Sequence, residues 1–325
     1  MSWQGQVVAI SGATGFLGSA LACRLATEGA VLRALVRDRR KLERRHLPPM
    51  EVVEGSLEDM AALERLVEGA NVVFHVAAAL DGPYLAQFES NVNGTVNIAQ
   101  AALRQKVSRF VHVSSIAAYG YGHRGLVSED APHIPNSDPY SLTKYISESA
   151  LLTATKARLL VTTIRPGAIY GPGAGLWTRG LFAYARLRPL PFPGDGRGIA
   201  PLIYVDDVIE QMLIQAQHPQ AVNQAFNAVH PQAITWREYL LALARLHGHQ
   251  SWLSLPYPLG QAAAHLATLG APLLSARRAL PDLLAMTRST AHYNMAKARD
   301  LLGWTPRISL NEGLTRLAPS LLAQS

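Results

Sequence analysis

The strongest constraint on this chain is an alternation, through its first 170 residues, of short apolar runs with helix-patterned stretches. Val7–Ser11, Val31–Arg37, Glu51–Glu54, Asn71–Val76, Arg109–Ser114 and Leu159–Arg165 read as strands. They are apolar at nearly every position, as expected of parallel strands covered on both faces. Leu17–Glu28, Met60–Val67, Phe88–Gln105 and Tyr140–Lys156 carry helical patterns between them. The alternation predicts an α/β fold with a doubly wound parallel sheet. After Pro166 the texture changes: Gly and Pro cluster over 171–175 and 189–198, followed by a helix at Val205–Gln217, a strand at Ala225–Val229 and a mostly helical end. The expected organisation is an α/β domain over 1–170, with part of 200–230 returning to it, and a smaller lobe over 171–325; the motifs below make these a dinucleotide-binding domain and a substrate-binding lobe.

Composition narrows the function classes. Hydrophobic residues make up 49% of the 325 and charged residues 16%, so the chain can build a core and is not disordered. The single cysteine, Cys23, excludes a disulfide framework and a cysteine-rich metal site, and no metal is expected. Gln6–Ile10 enters a strand pattern with no signal-peptide features ahead of it, which makes the cytoplasm the expected location. The most apolar stretch, Leu253–Ala276, is broken by Pro256, Pro258, Gln261, His265, Gly270 and Pro272. It reads as lobe core, pocket lining or a peripheral membrane contact rather than as a span. Much of the net +7 lies between Arg33 and Arg45, where Arg33, Arg37, Arg39, Arg40, Lys41, Arg44 and Arg45 oppose only Asp38 and Glu43. Without interleaved aromatics this is not a nucleic-acid surface; it is a solvated helix face or an anion site.

Two constellations carry chemistry. Gly12, Gly15 and Gly18 lie in Gly12-Ala13-Thr14-Gly15-Phe16-Leu17-Gly18, between the first strand and the first helix. There the glycines permit a tight turn, close approach of a pyrophosphate and close helix–strand packing, while the helix N-terminus supplies N–H groups. Tyr140 and Lys144 are four apart in a helical stretch and share a face, so the lysine can ease ionisation of the phenol. Ser115, at the end of a strand, offers a hydroxyl that could polarise the same substrate oxygen. His75 and His112 sit in apolar strands and read as core histidines. Asp206-Asp207 read as helix-capping groups and Tyr170-Gly171-Pro172 as a turn at the lobe junction.

In this order along the chain, the glycine turn, His75-Val76-Ala77-Ala78, Asn91-Val92-Asn93-Gly94-Thr95, Ser114-Ser115 with Tyr119-Gly120, and Tyr140-x-x-x-Lys144 resemble the extended short-chain dehydrogenases/reductases. Arg165-Pro166 with Tyr170-Gly171-Pro172, Tyr204-Val205-Asp206-Asp207 and Leu301–Pro306 extend the resemblance. The resemblance implies an enzyme in which Tyr140 is the general acid/base, Lys144 holds the nicotinamide ribose and tunes Tyr140, Ser115 orients the substrate oxygen and Asn91 supports the site. It further implies that Gly12, Thr14, Gly15, Phe16, Leu17, Gly18, Ser56, Leu57, Val76, Ala77, Ala78, Pro166 and Gly167 border the dinucleotide, and it makes a homodimer through the helices carrying Asn91 and Tyr140 an expectation.

Within that family the wording is similar to the 3β-hydroxysteroid dehydrogenase and dihydroflavonol reductase branch. Ala168 and Ala200-Pro201 stand where sugar-nucleotide members carry an amide and a guanidinium for a diphosphate. The expected reaction is hydride transfer between a nicotinamide and a secondary alcohol or ketone of an apolar small molecule. A nucleotide-sugar epimerase and a non-catalytic dinucleotide sensor or scaffold are the alternatives. Val36 occupies the position of the NAD-specific carboxylate and Arg37 follows it, which points to NADP, with NAD as the alternative.

Overall fold

The computed structural model describes residues 2–43, 47–121, 123–134, 136, 138–156, 158–262 and 284–323. Its centre is a seven-stranded sheet of β1 (Val7–Ser11), β2 (Val31–Val36), β3 (Glu51–Glu54), β4 (Val72–His75), β5 (Arg109–Val113), β7 (Val161–Pro166) and β12 (Gln224–Ala228), ordered β12-β7-β5-β4-β1-β2-β3. Every pair in it is parallel. The strand order runs outward from β1 to β3 on one side and from β4 to β12 on the other. The carboxyl ends of β1 and β4 therefore border the point where the winding reverses, which is where open α/β sheets place ligands.

The non-alternating strands have a direct structural cause, because each face of the sheet carries its own core. Val8, Ile10, Phe74, Val111 and Ile164 pack with Leu21 and Leu25 of α1 (Phe16–Thr27) and with Val208 and Met212 of the helix Val205–Gln217. Ala9, Val73, Phe110 and Val161 point the other way. They meet Leu63 and Leu66 of the helix Met60–Val67, Ile98 and Ala102 of the helix Gly94–Arg104, and Leu151 of the helix Pro139–Thr155. Successive strand residues face opposite cores, so both sets must be apolar.

The predicted strands and helices appear with boundaries shifted by only a few residues, apart from Phe88–Gln105. That stretch is divided into an α-helix at Tyr84–Phe88, a π-helical turn at Glu89–Asn93 and an α-helix at Gly94–Arg104. Beyond β7 the chain forms short pairs: β8 (Ala168–Tyr170) with β11 (Leu202–Tyr204), β9 (Leu190–Pro193) with β14 (Trp252–Leu255), β10 (Ile199–Ala200) with β13 (Ile234–Thr235), and β6 (Arg124–Val127) with β15 (Thr290–Tyr293). β12 returns from this region to the edge of the main sheet. Within the apolar stretch from Leu253, Leu253 and Leu259 are exposed, and residues 263–276 lie outside the described residues. Among the described residues, no helix is long and apolar enough to cross a membrane.

Asp206 and Asp207 do not cap their own helix. They lie inside its first turn, after an N-cap at Tyr204 that makes no side-chain bond. Buried Asp207 instead accepts the backbone N–H groups of Arg307 and Ile308, at 3.0 and 3.1 Å, and Asp206 pairs with Arg316. Trp304, 1% exposed, donates its indole N–H to Glu210 on the same helix. The acidic pair thus ties the end of the chain to the sheet-flanking helix.

Candidate active site

At the glycine turn, Gly12 has φ +79° and faces the backbone just past β4: a Cβ there would lie 2.7 Å from the Ala77 nitrogen. A Cβ on Gly18 would come within 2.2 Å of the Gly12 carbonyl oxygen. These two glycines are required by protein packing. Gly15 is different: it is exposed at the N-cap of α1, and a Cβ on it would meet nothing closer than the Gly12 oxygen at 3.2 Å. Thr14 and Phe16 are half-buried beside it, and Leu17 is buried.

Ser115 caps the 3-10 turn Ile116–Tyr119 that leaves β5, accepting the Ala117 N–H at 3.1 Å. Tyr140 and Lys144 lie in the first two turns of the helix Pro139–Thr155, whose N-cap is Asp138. The Tyr140 hydroxyl is pushed up to about 12 by burial; Ser115, hydrogen-bonded to it, pulls it back down, and the Asp138 charge raises it. Lys144 is 3% exposed, donates to the Val113 carbonyl at 2.8 Å, and has its ammonium 5.9 Å from the Tyr140 ring centre. Burial lowers it to about 8, against the opposing effect of Glu148. The three side chains therefore gather at the carboxyl end of the sheet: a protonated phenol, a hydroxyl that lowers its proton affinity and a buried cation behind it.

Asn91 lies in the π-helical turn, a distortion often found at functional sites. Its amide oxygen accepts the Ala79 N–H at 2.7 Å, and its amide nitrogen donates to the Ala79 carbonyl at 2.9 Å and to Thr143 Oγ1 at 3.1 Å. It joins the segment after β4, where Val76, Ala77 and Ala78 are half-buried, to the helix bearing Tyr140. A neutral relay supports that segment. Ser11 Oγ accepts the Ala77 N–H at 3.3 Å and meets His75 Nδ1 at 2.7 Å; His75 Nε2 meets Thr95 Oγ1 at 2.9 Å, and Thr95 donates to the Asn91 carbonyl at 2.6 Å. Because the Thr95 proton is committed to Asn91, His75 donates from Nε2 and accepts at Nδ1. Burial, aided by the Lys144 charge, takes His75 down to about 3. His112 stacks on it at 5.7 Å and is likewise held neutral, chiefly by burial, then by the Lys144 charge, with Arg165 adding to it. Both are core histidines, as expected from their strands.

Residues 8–228 match the NAD dependent epimerase/dehydratase family. The chain belongs to this family. It is 33% identical to the ceramide reductase of Caulobacter vibrioides over 92% of this chain and 86% of that protein. It is 28% identical to a 3beta-hydroxysteroid-dehydrogenase/decarboxylase of Arabidopsis thaliana over 83% of this chain, spanning 66% of that protein's length. The fold is that of a UDP-glucose 4-epimerase from Thermotoga maritima solved with UDP-glucose: TM-score 0.78, 22% identity, 98% of this chain and 99% of that one covered. As a family member the chain is an NAD-dependent oxidoreductase or epimerase of the extended short-chain dehydrogenase/reductase type.

The site residues fit a dinucleotide. The helices Met60–Val67, Pro139–Thr155, Trp236–Leu246 and Leu310–Leu322 are capped by the side chains of Asp59, Asp138, Thr235 and Ser309. α1 starts at Gly15 with no side-chain cap and no carboxylate in its first turn, a helix N-terminus that an anion can approach. The basic segment divides its labour. Arg33 is structural, pairing with Glu51 and donating to the carbonyls of Arg65, Leu66 and Glu68. Arg39 pairs with Glu54 and Arg40 with Asp38. Arg37, exposed just past β2, has no ion pair or hydrogen bond among the described residues. Ser56 accepts the Glu58 N–H, and the Leu57 side chain packs where a Cβ on Gly94 would lie. Pro166 closes β7, and Gly167, bonded to the Ala228 carbonyl, faces the Pro201 oxygen so closely that a Cβ would collide with it.

The sequence reading missed a charged cluster behind the site. Glu148, one turn beyond Lys144, receives Ser114 Oγ at 2.5 Å and Arg165 at 2.6–3.2 Å. Arg165 also donates to Tyr119 Oη and to the Glu129 carbonyl, both at 2.8 Å, and Tyr119 donates to Asn227 at 2.6 Å. Burial would lower Arg165, but its bonds to Glu148 outweigh that and hold it firmly protonated. The available signal was spacing: Tyr140, Lys144 and Glu148 fall on one helix face.

A cleft of about 20 Å³ beyond β5 is lined by Ile116, Ile199, Pro201, Met286 and Ala291, with Tyr121, His123, Ser289 and Tyr293 as its polar side chains, and its lining does not include Ser115, Tyr140 or Lys144. Among the described residues its lining includes no lysine or arginine.

Proposed function

We propose that this protein is an NADP-dependent oxidoreductase acting between a secondary alcohol and a ketone on an apolar small molecule, with the region beyond Tyr170 as its substrate lobe. The carrying observation is the meeting of Ser115, Tyr140 and buried Lys144 at the carboxyl edge of the sheet. The uncapped α1 N-terminus with Gly15 would hold the diphosphate, Arg37 the ribose phosphate, and Lys144 the nicotinamide ribose. The cofactor, when bound, supplies or accepts the hydride. In the reductive direction Ser115 donates a hydrogen bond to the ketone oxygen and Tyr140 gives that oxygen its proton. Lys144 stabilises the resulting phenolate, so the phenol that is a weak acid in the free protein becomes usable near neutral pH. Asn91 holds Ala79 and Thr143 and so fixes the gap between the β4 segment and Tyr140.

The apolar substrate class is supported by Ala168 and Ala200, where the sugar-nucleotide branch carries polar anchors, and by relatives named for a ceramide and a hydroxysteroid. A diphosphate would require cations to replace its hydration, each such charged bond contributing about 1.5–3 kcal/mol. The test combines one variant with one panel. Tyr140→Phe is expected to reduce turnover roughly 10²–10⁴-fold while NADPH still binds. Apolar ketones and secondary alcohols should be turned over, and UDP- and GDP-sugars should not. Near-wild-type turnover by the variant would remove Tyr140 from its role. Saturable micromolar binding of a nucleotide sugar would make the protein an epimerase.

A further inference from the structure

Lys144 and Arg165 place two cations in the protein interior behind the reacting groups, with side-chain exposure of Arg165 at 14% and residue exposure of Lys144 at 3%. The two differ chemically: a guanidinium cannot shed its proton, whereas a buried ammonium can. Any shortage of negative charge in this cluster therefore falls on Lys144. Glu148 is placed to prevent that. It stands one helical turn from Lys144, and its carboxylate is fixed by three donors on two strands: Ser114 Oγ after β5 and Arg165 Nε and Nη2 on β7. The other groups facing Lys144 are Tyr140 on its own helix, His75 on β4 and His112 on β5, both neutral, and the Val113 carbonyl that accepts its hydrogen bond. Arg165 has a second acidic neighbour in Glu129, but Glu129 turns its carboxylate to the Asn227 N–H at 3.0 Å and only its carbonyl to Arg165. Arg165 thereby fixes Glu148, and the same strand continues at once into Pro166 and Gly167 at the site.

We propose that Glu148 is a positioning residue that holds Lys144 protonated beside Tyr140 and locks the end of β7 to the helix carrying both. The consequence for turnover rests on the Ser115–Tyr140–Lys144 reading above, whereas the consequence for Lys144 itself does not. The charge state of the lysine is set by a residue that reaches neither substrate nor cofactor.

The chain has five lysines, Lys41, Lys106, Lys144, Lys156 and Lys297, so side-chain nitrogen NMR on protein containing isotope-labelled lysine can follow each, with Lys144→Met assigning the signal. No cofactor or substrate is needed. Glu148→Gln should lower the Lys144 midpoint by about one pH unit or more. Glu148→Asp, which keeps the charge on a shorter arm, should lie between it and the wild type, and it serves alone if the Gln variant does not fold. The alkaline limb of kcat for ketone reduction should move down with the midpoint. A folded Gln or Asp variant whose Lys144 midpoint equals that of the wild type would overturn the proposal and leave Glu148 as an anchor for Arg165 only. Near-wild-type turnover by Tyr140→Phe would defeat the catalytic reading while leaving this titration to be judged by itself.

Discussion

Two buried polar chains flank the site, and they are built from opposite materials. On the glycine-turn side, Ala77, Ser11, His75, Thr95 and Asn91 form a relay with no net charge, each proton assigned to one acceptor. On the β7 side, Glu148, Arg165 and Tyr119 form an ionic one that runs on to Asn227 in β12. A neutral relay fixes geometry with little electrostatic influence on its surroundings. An ionic relay also sets the potential at nearby groups, and Lys144 is the nearby group that can titrate. The difference teaches that the two sides of Tyr140 are specialised, one for position and one for charge.

The largest expected effect comes from breaking the ionic chain. Arg165→Met leaves the Glu148 carboxylate buried with Ser114 and the electrostatic attraction of Lys144, and an orphaned buried charge of this kind costs about 3–5 kcal/mol. Urea unfolding should show that loss. In the neutral relay Thr95→Val removes one hydroxyl between His75 and Asn91, with an expected cost of about 1–3 kcal/mol for the unpaired groups. If the two variants lose equal stability, the contrast between the chains fails.

The parts of the molecule that were legible in advance follow the same division. Strands in the main sheet were readable because both faces are covered, so Val8, Ala9 and Ile10 must all be apolar whichever core they enter. Gly12 and Gly18 were readable because turn sterics restrict residue type locally, and helix periodicity put Tyr140 and Lys144 on one face, while their roles came only from the family resemblance. The π-helical turn at Asn91 was not readable, since it follows from fitting the amide to Ala79 and Thr143, which come from two other segments. Glu148 has no local signature beyond its helix face, because β5 and β7 bring Ser114 and Arg165 to it from elsewhere in the chain. Asp207 looked like a cap because its partners, Arg307 and Ile308, lie 100 residues further along the chain. Interactions at long separation leave no local pattern to read.

A second prediction concerns pH, and for each pH unit it is smaller. His75 and His112 are held neutral in the fold, His75 down to about 3, against an ordinary value of 6.5. Between those limits the unfolded chain binds the protons that the folded chain refuses, so their contribution to stability is flat above pH 6.5 and declines as pH falls below it. His75 should remove about 1.4 kcal/mol per pH unit in that window, and His112 acts in the same direction. Unfolding measured at several pH values from neutral to mildly acidic should show the decline, and His75→Gln should lessen its slope. An unchanged slope in that variant would mean that His75 protonates without leaving its relay.

The smallest effect tests whether the division of labour extends to the exposed rim, where charge is available but unspent. Arg33, Arg39 and Arg40 are each committed to a carboxylate, and Asp38, the acid nearest a ribose position, is engaged by Arg40 through both its side chain and its backbone N–H. Arg37 is the one cation at the carboxyl end of β2 with no such commitment among the described residues. The residue before it, Val36, is buried and cannot supply the carboxylate that would repel a 2′-phosphate. A guanidinium here can bind that phosphate through two N–H groups, although solvent screening limits the gain at an exposed position. Arg37→Ala should therefore weaken NADPH roughly tenfold, about 1.4 kcal/mol, and leave NADH nearly unchanged. Titration of both nucleotides into wild type and variant decides it, and raising the salt should shrink the wild-type preference. Equal affinities for NADPH and NADH in the wild type would return Arg37 to the solvated surface and make NAD the cofactor.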